Sequence, residues 1–495
     1  MLDNPYRFLE IRAASHPNGI AIIEGANSDT EITFSQLLQM TDSLAGQLFA
    51  LGVQRGSRVA LQLERKWSWI LTLALWRLGA TSAASSGMGK NFGDFGVTHV
   101  VSQHEQTEFD GGWIAVKENW LEEAVSFPPY GRVEPFDSDH PWPVIALTSG
   151  TTGKPKQVPI SLPSLITRAE RAAERNLTDR PVVFLVGTGT HFGQLLQLIC
   201  LMRGWPVCVI LPRHDELKDL PAVIERFEIE TLAGAPGQIE GALATVGSQL
   251  KRSKHLKRLY MGGGLIPESL RDEAIRSFGW RIFTTFASTE VSTITARELR
   301  LNDNPRNLGL PVEEAQVQLV DEKNQLVQPG QAGRLRVRSD VMIDGYLNNA
   351  EATSRVFHDG WFYPGDMARL LPSGEYLFEG REGEAINLGG LKVDPSVIDA
   401  YLVTHPKIRD AGTFGVEVNG EVRFIASAVV LSERVEIKEL MDFAKREFGE
   451  RSPWVIFAAP AIPRNEMNKV MRRKLTEAHS ASIVKKMREH REGGG

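Results

Sequence analysis

The chain is poor in cysteine, in long apolar runs and in any excess of one charge, and each absence narrows its function. Cys200 and Cys208 are the only two cysteines in 495 residues. That rules out a disulfide framework or a CxxC metal knot and fits a reducing cytosol, so a cytoplasmic location is expected. A membrane span needs about 20 apolar residues. Trp67–Ala80 is interrupted by Arg77, and 194–211 by Gln197, Arg203, Gly204 and Pro206. A buried helix and a helix-to-strand pair are expected there instead. The opening MLDNPYRFLEIRAA has no apolar core of a secretory signal. Fifty-six basic residues face 61 acidic ones, a net charge of −5, which argues against a general nucleic-acid binder. The basic run KRSKHLKR at 251–258 reads as a solvated lead into a strand. HExxH, GxSxG and cysteine zinc spacings are missing. GTGTHFG and GMGKNFG are each one residue too long for the dinucleotide fingerprint.

What is present reads as a globular protein of more than one domain: 42% hydrophobic and 24% charged residues on a chain too long for one ordinary core. The first three hundred residues alternate helical and strand patterns. FSQLLQMTDSLAGQLFALG has helical spacing and stops at Gly52, SRVALQL is strand-like, and helices are expected over 163–175, 194–202 and 267–278. Such alternation predicts parallel sheets with helices on their faces. Near Glu314 the rhythm changes to short strands with Gly, Pro and Asn turns, a β-rich unit over about 310–380. A new α+β unit starts near Glu384, and a frayed, disordered tail is expected over 486–495.

The most informative stretch is ALTSGTTGKPKQ, residues 146–157. It follows an apolar strand, so its hydroxyls, glycines and lysine hang from a strand's carboxyl end, where open α/β sheets bind ligands. It is not the usual nucleotide loop, because only Thr151 and Thr152 separate Gly150 from Gly153. Gly150 and Gly153 allow successive N–H groups to point inward as an anion nest, Ser149, Thr151 and Thr152 add hydroxyls, and Lys154 adds charge.

LTSGTTGKPK resembles the phosphate loop of the adenylate-forming superfamily: acyl-CoA synthetases, peptide-synthetase adenylation domains and firefly luciferase. Further motifs follow in the superfamily's order over about residues 20–475: GTGTHFGQ with His191, MGGG at 261–264, FASTE at 286–290, GWFYPGD ending at Asp366, GREGEAINLGGLKVDP from Gly380, and PRNEMNKVMRRKL with Lys469. The resemblance implies an N-terminal domain, residues 1–381, of two doubly wound sheets plus a small β-barrel-like subdomain. A small mobile α+β domain, residues 382–485, would follow it.

The resemblance also implies roles. Thr148, Ser149, Gly150, Thr151, Thr152, Gly153 and Lys154 would hold ATP phosphates, with Thr151 and Glu290 on Mg2+, a hard cation that prefers carboxylate, phosphate and water. Gly262, Gly263 and Gly264 would lie by the adenine. Phe286, Ala287 and Ser288 complete the nucleotide site, Phe286 stacking on the base, and Asp366 and Arg381 would bind ribose. Thr289 and Glu290 belong to the catalytic motif, and Lys469 would neutralise charge on the pentavalent phosphorus. His191 would gate or orient the acyl group in a pocket with Phe192, Gly234 and Val291. Gly383 stands at the hinge, and Gly389, Gly390, Leu391 and Lys392 form the loop for the thioester step.

Two half-reactions are implied. A carboxylate attacks the α-phosphate of MgATP, giving an acyl-adenylate and pyrophosphate. Then a thiol, of CoA or of a carrier protein's pantetheine, takes the acyl group. Gly383, Pro364 and Asn468 depart from the usual Asp or Lys, Thr and Gly, yet no charged catalytic group is missing. Relatives that activate amino acids place an Asp near the position of Phe192 to hold the α-ammonium; HFGQ offers none, so the resemblance implies a fatty or aromatic acid without an α-amine. No carrier domain follows Lys469, so CoA and a separate carrier protein both remain open as acceptors. A member that binds nucleotide or acyl ligand without turnover is the reading of another class.

Overall fold

The computed structural model describes residues 2–23, 31–63, 65–84, 92–103, 109–116, 120, 127–148, 155–176, 179–187, 190–210, 214–264, 266–382, 386–388, 391–418, 421–464 and 470–492. Its first sheet has six strands in the order Gly112–Ala115, His99–Ser102, Arg58–Gln62, Thr81–Ala83, Val144–Thr148 and Lys156–Ile160. The first five run parallel, and only the last pair is antiparallel. Val144, Ile145 and Ala146 are successively buried, as expected for a strand covered on both faces.

The second sheet has a parallel run of Ile20–Ile23, Val207–Val209, Val182–Phe184, Thr231–Gly234, Arg258–Gly262 and Arg281–Ser288. One apolar cluster joins the two sheets through helices, with Val144 and Val182 from the strands and Leu44, Trp76 and Ile199 from Phe34–Ala50, Arg65–Arg77 and His191–Arg203. The charge that interrupts the apolar stretch ending in Arg77 is accommodated, not exposed. Arg77 donates to Tyr130 O at 2.7 Å and pairs with Asp42 at 2.9 Å.

After Arg281–Ser288 the chain reverses into Ser292–Leu299, which pairs antiparallel with it. From there hydrogen bonding continues through Asn307–Pro311, Tyr376–Arg381, Asp366–Leu370 and Ala332–Arg338. The β-rich unit is thus stitched onto the second sheet while keeping its own apolar core around Leu335, Val337 and Phe378.

Beyond Arg381 a separate three-stranded sheet forms from Ile408–Val418, Glu421–Leu431 and Val455–Ala458, with helices Pro395–Leu402, Ile437–Phe448 and Arg472–Glu492. The last helix extends to Glu492, into the first part of the stretch expected as a disordered tail over 486–495. The reason is local. Lys, Met, Arg and Glu sustain a helix, and no glycine or proline interrupts until 493. Among the described residues no helix is long and apolar enough to cross a membrane.

Candidate active site

The expected nucleotide residues gather at the carboxyl ends of neighbouring parallel strands, the edge where α/β sheets take ligands. Gly234 pairs with Met261, and Gly262 with Thr285, so Gly234, Gly262 and the Phe286–Ser288 end lie on three adjacent strands. Gly263 turns the chain away with φ +87°, a left-handed conformation that glycine adopts without strain. Gly264 follows it. Phe286 is half-buried and rests on the β-unit's apolar cluster. Thr148 ends its strand opposite Lys156 of the next one. Ser149, Gly150, Thr151, Thr152, Gly153 and Lys154, between these two strands in sequence, lie outside the described residues.

Glu290 is 7% exposed. Tyr346 Oη donates to its Oε1 at 2.7 Å, and Ser288 Oγ donates to Oε2. Burial, together with the adjacent carboxylate, raises the Tyr346 phenol far above its ordinary range, so it stays a donor. Its ring also faces Lys156, whose Nζ is 4.8 Å from the ring centroid. Each carboxylate oxygen of Glu290 accepts one hydroxyl and keeps a lone pair. A hard anion at the ligand edge, pre-oriented by two neutral donors, fits a magnesium ion carried by ATP phosphates.

Arg168, on the helix Leu162–Asn176, is 1% exposed, and no carboxylate among the described residues bonds it. Its Nη1 donates to Thr289 O at 2.8 Å and approaches His191 Nε2 at 3.4 Å. Its Nη2 donates to Glu290 O at 3.2 Å and Val341 O at 2.6 Å. Three and seven residues on, the same helix pairs Arg171 with Asp340 at 2.6 Å and Arg175 with Glu314 at 2.6 Å. The helix therefore clasps both the Thr289–Glu290 turn and the chain before Tyr346. Burial lowers the Arg168 pKa to about 10, partly opposed by Glu290.

His191 opens the helix His191–Arg203, three residues earlier than its sequence pattern predicts. Thr190 caps that helix by accepting from Gly193 N at 3.0 Å. A Cβ at Gly193 would lie 2.3 Å from Gly187 O, so only glycine lets the preceding loop pack this closely. Burial first, and Arg168 second, lower the His191 pKa to about 3, keeping the ring neutral. Phe192 meets Tyr260 edge-on at 5.7 Å, and the Tyr260 hydroxyl lies 3.3 Å from Thr285 Oγ1, which ties this side to the strand ends. Val291 departs from the expected acyl pocket. The structure buries it, 1% exposed, in the β-unit's core with Ile294 and Leu335, because it sits in the reversal between the paired Ser288 and Ser292.

The other expected residues form separate groups. Asp366, 2% exposed, accepts from Arg381 Nε at 3.0 Å across paired strands. Leu391 and Lys392 lie on a short hairpin, with Asn387 opposite Lys392. Gly383, Gly389, Gly390 and Lys469 lie outside the described residues, although the base of the Lys469 segment is fixed. Arg464 and Val470 bridge, Arg464 pairs with Asp410, and Arg472 pairs with Asp399 at 2.6 Å. Arg168 and Tyr346 are the participants the sequence reading missed. The signals were arginines at i, i+3 and i+7 in RAERAAER and the tyrosine in IDGYLNN.

Tyr346→Phe removes one hydroxyl from Glu290. The magnesium concentration for half-maximal activity should rise about 10- to 100-fold, the usual range for an outer-shell partner, while the KM for the acid stays within about twofold. Unchanged magnesium dependence would contradict this role. His191 contributes to acid lability. Above pH 6.5 the ring is neutral in folded and unfolded chains alike. Between pH 6.5 and about 3 only the unfolded chain gains the proton, so stability falls with pH. Between pH 7.5 and 5.0 the wild type should lose about 2 kcal/mol more than His191→Asn in urea unfolding.

Residues 9–347 match the family described as AMP-binding enzyme. The 2-succinylbenzoate–CoA ligase of Bacillus licheniformis is 25% identical, aligned over 96% of this chain and 100% of that protein. The 4-coumarate–CoA ligase-like 2 of Arabidopsis thaliana is also 25% identical, over 97% of this chain and 92% of its own. The o-succinylbenzoate coenzyme A synthetase of Bacillus subtilis, solved with ATP and magnesium, superposes with a TM-score of 0.80 at 23% identity, covering 94% of this chain and 98% of that one. With strand-end glycines, Glu290 and the match over most of its length in agreement, the chain belongs to the AMP-binding enzyme family, the adenylate-forming superfamily.

Proposed function

We propose that the protein is an ATP-dependent, AMP-forming ligase that joins an aromatic carboxylic acid to CoA. The observation that carries the chemistry is Glu290, a buried carboxylate oriented by Tyr346 and Ser288 at the strand-end edge. The relatives named for 2-succinylbenzoate and 4-coumarate, each aligned over nearly the whole chain, support an aromatic acid over a fatty one and CoA over a carrier protein. 2-Succinylbenzoate is the first acid to test.

In this reading the acid's carboxylate attacks the α-phosphorus, the bond to pyrophosphate breaks, and an acyl-adenylate forms. The sulfur of CoA then attacks the acyl carbon and AMP leaves. Residues 148–154 cradle the phosphates. Gly262, Gly263 and Gly264 admit the adenine, and Phe286 stacks on it. Asp366 and Arg381 take the ribose hydroxyls, and Glu290 with Thr151 holds magnesium. Bound there, magnesium supplies charge neutralisation along the phosphates. Lys469 comes from the unit after residue 382, whose rotation at Gly383 exchanges it for the Gly389–Lys392 loop. Positioning does most of the work, since a carboxylate needs no general base.

The experiment is to supply ATP, Mg2+ and CoA with 2-succinylbenzoate, other aromatic acids, fatty acids and amino acids, and to identify the nucleotide and thioester formed. AMP, pyrophosphate and an aromatic acyl-CoA are expected, with Lys469→Ala lowering adenylate formation at least about 100-fold. ADP and phosphate, a preference for fatty acids, or no acid-dependent ATP consumption would overturn the reading.

A further inference from the structure

Arg168 carries no place in the roles assigned so far, yet its surroundings account for every η proton. A guanidinium has only donors, four of them on the two η nitrogens. Three go to the carbonyls of Thr289, Glu290 and Val341, and the fourth faces His191 Nε2 at 3.4 Å. Because arginine offers no lone pair, this imidazole nitrogen must accept, and in a neutral ring the proton then sits on Nδ1. His191 Nδ1 is sealed from solvent and has no partner among the described residues. An N–H left unpaired in that setting costs about 1–3 kcal/mol, so a buried donor of this kind points to a missing acceptor.

We infer that Arg168 is a positioning residue that locks His191 as the Nδ1–H tautomer, so that His191 donates a hydrogen bond from Nδ1 to an oxygen of the bound acid or its adenylate. The acceptor part rests on the proposed ligase reading; the tautomer part stands on geometry alone. The same guanidinium grips the main chain of Thr289 and Glu290, so one side chain sets the donor facing the acid and the carboxylate facing magnesium. Lysine cannot replace it. A single ammonium has three donors on one atom and cannot span four acceptors arranged around a planar fork.

The test begins with the unmodified enzyme. Long-range 1H–15N correlation of 15N-histidine-labelled protein, with His191 assigned by difference against His191→Gln among 11 histidines, should show the proton on Nδ1. In Arg168→Lys that signal should become a mixture of tautomers. A non-hydrolysable aromatic acyl-adenylate analogue should shift the Nδ1–H resonance of the wild type. In kinetics, kcat/KM for the acid should fall about 10- to 100-fold in His191→Gln, the scale of a lost oriented hydrogen bond. His191→Asn, whose amide nitrogen overlies Nδ1, should retain within about tenfold of wild-type kcat/KM. KM for MgATP should move less than about threefold in both His191 variants.

A proton on Nε2 in the wild type, an unchanged tautomer in Arg168→Lys, or equal losses in the Asn and Gln variants would overturn the inference. If Arg168→Lys does not fold, the wild-type tautomer and the paired His191 variants still decide it. If Nδ1–H is found but no aromatic acid is activated, the ligase reading fails while the tautomer assignment stands.

Discussion

A buried guanidinium without a carboxylate partner is a costly thing to build into a protein, and among the described residues the site is organised around one. Moving a charge out of water is unfavourable unless oriented dipoles replace the lost hydration. Arg168 finds these in three backbone carbonyls and an imidazole, drawn from segments more than a hundred residues away and from the start of a neighbouring helix. Because its donors lie in one rigid plane, the acceptors must hold fixed relative positions. The Thr289–Glu290 turn, the chain near Val341 and His191 are thereby positioned together. The helix that carries Arg168 follows directly on the strand Lys156–Ile160, which pairs with Val144–Thr148.

The residues proposed for the two halves of the chemistry sit in units with separate apolar cores. The residues proposed to contact the nucleotide lie at the strand ends of the second sheet and on the β-rich unit fused to it, where rigidity favours alignment. The lysine segment belongs to the small unit. There a bridge between Arg464 and Val470 closes its base, and ion pairs with Asp410 and Asp399 flank it. A charged group delivered from a separate body can stabilise one transition state and then leave, which suits a reaction of two steps at one site.

Much of this was legible in the residues themselves. The strand–helix alternation, the reversal to short strands near Glu314 and the new unit after residue 382 follow from period and turn chemistry. Gly262, Gly263, Gly264 and Phe286, expected at the nucleotide, lie at or just beyond the ends of adjacent strands. What escaped was what only packing decides. RAERAAER reads as a solvated helical face, because nothing local says that Arg168 turns inward while Glu170 and Glu174 do not share its contacts. Tyr346 sits in a turn-like string, and its bond to Glu290 spans 56 residues. Val291 was expected in the acyl pocket, but its place in the reversal between Ser288 and Ser292 packs it into the β-unit core. The helix to 492 was not expected because chain ends ordinarily fray, whereas the local residues there favour helix.

The central claim is that the acid's own oxygen forms the new bond to phosphorus. Turnover with an aromatic acid labelled with 18O in its carboxylate, followed by mass spectrometry of the nucleotide, tests this directly. The account predicts one labelled oxygen in the phosphate of AMP for each thioester made. Label in pyrophosphate or inorganic phosphate, or label retained wholly outside AMP, would contradict it.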